Sequence, residues 1–180
     1  VEYPLNSNWK YFAENHIDWL HLFYLHAKTL NMYDHNNGHW VQSGDHWMGF
    51  EVPEPTKLEE IEKRQEGLLP IDGIEPAKGQ YGAHLLFPNL PLITNERSFT
   101  IMELKQDGPT RSKLSIRMFA TPGSVLPEAR KEDSEVMRED QLAAERMQMT
   151  VESPFTEVGP LALEYESPVT EFHDSYLRYV

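Results

Sequence analysis

The sequence predicts an α+β domain on three observations. A Gly- and Pro-free helical stretch stands near the start, short strand-like segments with turn signals fill the middle, and two more helical segments follow. The first helix runs from Asn8 to His26, dense in aromatics and Leu, with Ser7 or Asn8 as its N-cap. GHWVQSGDHWMGFEV alternates well enough for two short strands around Ser43-Gly44-Asp45. KLEEIEKRQEG gives a short exposed helix ending at Gly67. LLPIDGIEPAKGQYG reads as a long loop. Strands AHLLF, LPLIT, RSFTIMELK and SKLSIRMFA follow, separated by Pro-Asn, Asn-Glu-Arg and Asp-Gly-Pro turns, and together they predict an antiparallel sheet. Asp133 or Ser134 caps a second long helix to about Val151, with Glu135 favouring its dipole. Ser167-Pro168 opens a third, in which Val169, Phe172, Tyr176 and Val180 form one face to pack on the sheet.

One domain is expected from 180 residues, a length that closes a core without disulfides or structural zinc. A net charge of -13, from 16 basic and 29 acidic residues, repels phosphate backbones and anionic lipid, so no nucleic-acid or membrane partner is expected. The acidic excess reads mainly as solvated helix faces, with a specific cationic partner left open. The absence of cysteine excludes disulfides, thiolate metal sites and cysteine nucleophiles within the chain. There is no long apolar run and no signal-like start, so a cytoplasmic location is the expectation. The chain begins without Met and ends abruptly in SYLRYV, which reads as two fragment boundaries.

Chemistry-bearing residues concentrate in two segments. In ENHIDWLHLFYLH, Asn15, Asp18 and His21 are spaced by three, on one face of a helix. His26 lies five residues beyond His21, about 140° around a straight helix. The two imidazoles therefore meet one ion only if the helix widens or breaks between them, for instance at a π-type turn. The spacing alone leaves open that they face different surroundings. In DSEVMREDQLAAERMQMTV, Met137, Asp140, Ala144, Met147 and Val151 form an apolar stripe that contains a carboxylate. A core-facing Asp140 needs a metal or a hydrogen-bond network, unless the stripe lies at the boundary and the side chain reaches water or an Arg. Two His and one Asp would make the facial triad of non-haem iron(II).

NWKYFAENHIDWLHLFYLHAKTL resembles the iron-binding segment of the Rieske non-haem iron oxygenases: Asn-Trp-Lys, Glu-Asn, Asp-x-x-His, then x4-His. REDQLAAERMQ, LLFPNLPLIT and GPLALEYESPVTEFHDSYL are similar to further family segments, in the right order along most of the chain. The resemblance is to the C-terminal catalytic domain of the ring-hydroxylating alpha subunit, here residues 1–180. It implies a helix-grip (START/Bet v1-like) fold, a curved antiparallel sheet around a long helix. It also implies an Fe(II) held by His21, His26 and Asp140. Asp18 matches the acidic residue that links this site to the Rieske cluster of a neighbouring subunit, and Asn15 an amide close to the iron, both residues that orient and tune the site. Trp19, Tyr24, Phe87, Phe99, Met102, Phe119 and Met147 are candidates to line a substrate pocket, though such residues are core by default.

The implied reaction uses dioxygen to hydroxylate or demethylate a small organic substrate, aromatic or amine, and the sequence does not choose between them. A [2Fe-2S] Rieske cluster needs two Cys and two His. It is therefore expected on an N-terminal domain absent from this chain, with a Cys-x-His and Cys-x-x-His pair upstream of Val1. Further implied partners are a reductase or ferredoxin and, in the full protein, a homotrimer whose neighbouring subunit presents the cluster. Two competing readings are a non-catalytic helix-grip ligand-binding module, which has no reason to converge the triad, and hydrolytic zinc in the same pocket.

Overall fold

A computed structural model describes residues 1–42, 46–52, 55–73, 80–126, 131–157 and 159–179. Seven strands form one antiparallel sheet: β1 (Glu2–Leu5), β2 (His39–Gln42), β3 (Trp47–Val52), β4 (Tyr81–Leu86), β5 (Leu90–Asn95), β6 (Ser98–Gln106) and β7 (Ser112–Ala120), in spatial order β1-β7-β6-β5-β4-β3-β2. Strands β2 to β7 are a meander, and β1 closes the far edge against β7 with Tyr3 opposite Leu114. The α+β class is as predicted and the architecture is helix-grip-like. Strand β1 was not predicted, because four residues containing Pro4 carry too little alternation. Proline is tolerated there because β1 is an edge strand. The turn expected at 43–45 and residues 74–79 of the expected long loop lie outside the described residues.

Among the described residues five α-helices complete the domain, beside a 3₁₀ turn at His35–Asn37: α1 (Trp9–Ile17), α2 (His21–Tyr24), α3 (Leu58–Arg64), α4 (Lys131–Val151) and α5 (Leu163–Tyr179). Asn8 caps α1 as expected, its side-chain oxygen accepting from Lys10 N at 3.1 Å. Helix α4 runs from Lys131, so Asp133 and Ser134 fall inside it and not ahead of it. Lys131 and Glu132 are themselves good helix formers. Helix α5 likewise starts ahead of Ser167-Pro168. It is broken at Glu166 (φ -113°, ψ 17°), close to the proline that disfavours continuous helix there.

Helix α1 lies on the sheet across β3 to β6, with α4 and α5 packed beside it. Its Phe12, Ala13 and Ile17 meet Met48, Leu85, Met102, Leu104 and Leu114 from the strands, Ala144 from α4, and Val169 and Phe172 from α5. Truncating a fully buried ring such as Phe12 or Phe172 to Ala costs about 3–5 kcal/mol. The α4 stripe departs from the expected pattern. Ala144 is buried, but Met147 and Val151 are exposed and Gln148 is buried instead. Gln148 Oε1 accepts the Asn8 backbone N–H at 2.8 Å, so the start of α1 draws a polar residue inward. Among the described residues no helix is long and apolar enough to cross a membrane.

Candidate metal centre

The predicted single helix over 8–26 is broken twice, first at Asp18 and again after Tyr24, between the two histidines. Asp18 ends α1 in an extended conformation (φ -75°, ψ 110°), its N–H still bonded to Glu14 O. Its Oδ1 accepts from Leu20 N at 2.7 Å, the local side-chain bond by which Asp competes with helix and starts a new turn. Asn15, Asp18 and His21 therefore do not share one helix face. Helix α2 stops at Tyr24, and His26 begins a further turn closed by Leu30 N–H to His26 O at 3.0 Å. No π-type turn occurs over residues 21–30. The bends bring the imidazole centroids to 4.9 Å, at 74° to each other.

Asp140 projects from α4 into this corner. One ligand atom from each of His21, His26 and Asp140 lies within 4.8 Å of the others, and among the described residues no other His, Cys, Asp or Glu cluster does this. His26 Nε2 is 2.9 Å and His21 Nε2 3.8 Å from Asp140 Oδ1. Ligand atoms about 2.1 Å from one ion, at right angles, stand about 3 Å apart; the His26–Asp140 pair has that separation and His21 stands somewhat farther out. Asn15 Nδ2 donates to the same Oδ1 at 2.8 Å. The Nδ1 atoms face away from Asp140: that of His21 meets the Asp18 carbonyl oxygen, and that of His26 lies 2.8 Å from Glu139 Oε2.

Burial and contact pull against each other here. Burial lowers the His21 pKa to about 4, so this ring is neutral. His26 is buried too, which works to lower it, but Asp140 and Glu139 outweigh burial and raise it. Burial pushes the Asp140 carboxyl up, yet His26, His21 and Asn15 bring it below the ordinary carboxylate value. A neutral imidazole beside an ionised carboxylate is the state a divalent cation requires of its ligands. Burial lifts the Asp18 carboxyl to about 6.

The other candidates scatter. Trp19 is buried over Phe50, and its ring occupies the space a side chain on Gly38 would need. Phe87 packs on Phe172, and Met102 is core. Phe99 faces Phe119 across β6 and β7, three residues from Met102 and so on the opposite sheet face. Tyr24, Phe119 and Met147 are exposed at 79%, 49% and 37%. A cavity of about 240 Å³ beside α2 is lined in part by Leu22, Phe23, Ala27, Tyr33 and His35, and by none of these seven. Sequence reasoning offers Glu139 and Glu145 only as replacements for Asp140 as a ligand, and it passes over Thr29; Glu139 instead stands behind His26, with Thr29 bonded to it. Glu145, an alternative carboxylate on the same helix, is bonded to Asn6 instead.

The whole chain, residues 1–180, matches the family model for the ring hydroxylating alpha subunit (catalytic domain). The chain belongs to this family. No curated protein sequence matches the domain. Solved structures similar to this ring-hydroxylating catalytic domain include the quaternary ammonium Rieske monooxygenase CntA in complex with an inhibitor (TM-score 0.69, 12% identity, 99% of this chain and 48% of that one). Another is dicamba monooxygenase bound to 3,6-dichlorosalicylic acid (TM-score 0.61, 15% identity, 99% of this chain and 59% of that one). At such identities the likeness shows the fold. The domain spans about half the length of the first of these chains.

Proposed function

We propose that this domain is the catalytic part of a Rieske-type oxygenase, holding one iron(II) through His21, His26 and Asp140. The observation that carries the reading is the convergence of these three donors in a chain of the ring-hydroxylating family. Two imidazoles and one carboxylate suit non-haem iron with positions left open, and the bound iron supplies dioxygen activation. The chain's own residues hold the donors in place. The Asp18 carbonyl braces His21, Asn15 braces Asp140, and the buried Trp19 anchors the turn after Asp18 against Phe50 and Tyr165.

The substrate in this reading is a small aromatic or amine, hydroxylated or demethylated. The structural likeness to monooxygenases named for quaternary ammonium compounds and dicamba supports that range. The chain has no cysteine, so a [2Fe-2S] cluster would sit on a Rieske domain of the parent chain or of a neighbouring subunit. A reductase or ferredoxin would supply it, and Asp18 would face it within a cytoplasmic homotrimer. One similar structure is described in terms of inter-subunit electron transfer, which supports this arrangement.

Anaerobic reconstitution with Fe(II) followed by metal analysis tests the site. One iron per chain is expected, falling sharply in His21→Ala, His26→Ala and Asp140→Ala while circular dichroism stays native. Unchanged iron content in Asp140→Ala would overturn the assignment.

A further inference from the structure

His26 is wedged between two consecutive carboxylates of α4. Its Nε2 lies 2.9 Å from Asp140 Oδ1 and its Nδ1 2.8 Å from Glu139 Oε2. Neighbours on a helix point about 100° apart, so both can reach one ring only because it stands edge-on between them. A neutral imidazole carries one N–H. If that proton sits on Nδ1 and points at Glu139, the Nε2 lone pair is left for the corner shared with Asp140 and His21.

Glu139 is itself held in this role. Thr29, three residues after His26, donates its hydroxyl to the same Oε2 at 2.6 Å. The Thr29 oxygen is 3.4 Å from His26 Nδ1, so turn, ring and carboxylate close one small network. The two histidines are braced differently. The acceptor for His21 Nδ1 is the Asp18 backbone, which no substitution removes, whereas that for His26 is a side chain.

We propose that Glu139, fixed by Thr29, is a positioning residue that holds His26 in its Nδ1–H tautomer and orientation, so that Nε2 is presented as a ligand. The proposal rests on the metal reading above. A carboxylate behind a ligating imidazole sets its tautomer and raises its basicity, and losing such a partner typically costs about 10–100-fold in metal affinity.

The test uses the 180-residue chain with Glu139→Ala, Glu139→Gln and Thr29→Val. Fe(II) affinity is measured by anaerobic titration, and the His26 Nδ1–H is followed by ¹⁵N NMR in the Zn(II)-loaded, diamagnetic form. Glu139→Ala is expected to bind Fe(II) about 10–100-fold more weakly and to lose the exchange-protected Nδ1–H signal, with native circular dichroism. Glu139→Gln still offers an acceptor oxygen and should keep the signal with intermediate affinity, a rescue that a merely structural role would not give. Thr29→Val should fall between wild type and Glu139→Ala. Wild-type affinity with an unchanged Nδ1–H signal in Glu139→Ala would overturn this proposal alone. Failure of the wild-type chain to bind metal would overturn the metal reading and this proposal with it. If Glu139→Ala does not fold, Glu139→Gln decides by the same two readouts.

Discussion

Asn15 and Asp140 are joined by a 2.8 Å hydrogen bond that ties α1 to α4 across 125 positions of sequence. The same Asp140 oxygen faces His26 Nε2, so the amide donor helps keep the carboxylate ionised in a buried corner. Asn15→Leu should destabilise the domain by about 1–3 kcal/mol, the cost of a buried acceptor losing a donor, and weaken Fe(II) binding. Denaturant midpoints and metal titration check both. No change in either would show that the bond is idle.

Asp18→Asn should leave the fold and iron content near wild type, because an Asn oxygen can still accept from Leu20 N and the backbone carbonyl at His21 is untouched. In a longer parent carrying the proposed Rieske domain, loss of most turnover is the expected outcome under the proposed role of Asp18. Iron content and steady-state rate are the paired measurements. Near-normal turnover would send the electrons by another route.

His16 provides a second pH handle, within electrostatic reach of Asp140 and His21. Its Nε2 lies 3.1 Å from the carbonyl oxygens of His84 and Leu92, and burial lowers its pKa to about 4 from 6.5. Between these values the unfolded chain binds a proton that the folded one refuses, so stability falls as pH drops through the window. The loss approaches about 3 kcal/mol at its lower end. His16→Gln should reduce the slope of unfolding free energy against pH between 6.5 and 4, leaving the share that His21 contributes. An identical slope in wild type and variant would contradict this assignment.

Iron-loaded chain should oxidise substrate with peroxide, which brings both oxygen and oxidising equivalents, but not through many turnovers with dioxygen, reductase and NADH. No cysteine is available for a cluster of its own. Sustained turnover with dioxygen and reductase alone would require an electron path that this chain lacks.

Much of the fold was legible because its signals are local. The Asn8 cap, the turn-bounded strands β2 to β7 and the polar cover of α4 all depend on residues a few positions apart. The candidate triad was legible as a spacing, Asp-x-x-His with His five residues on, plus a carboxylate set in an apolar stripe. The rest depended on partners distant in sequence. Strand β1 exists because β7 offers an edge, and Gln148 displaces Met147 from the buried face because Asn8 needs an acceptor. The composition by itself determined that the chain holds no cysteine-ligated cluster, and the motif order determined its family. Only tertiary structure decided that Asp18 breaks the helix and braces His21 through its carbonyl, and that Glu139 stands behind His26. Those contacts join segments more than a hundred residues apart or turn on a single side-chain bond at a helix end, and neither leaves a periodic trace in the sequence.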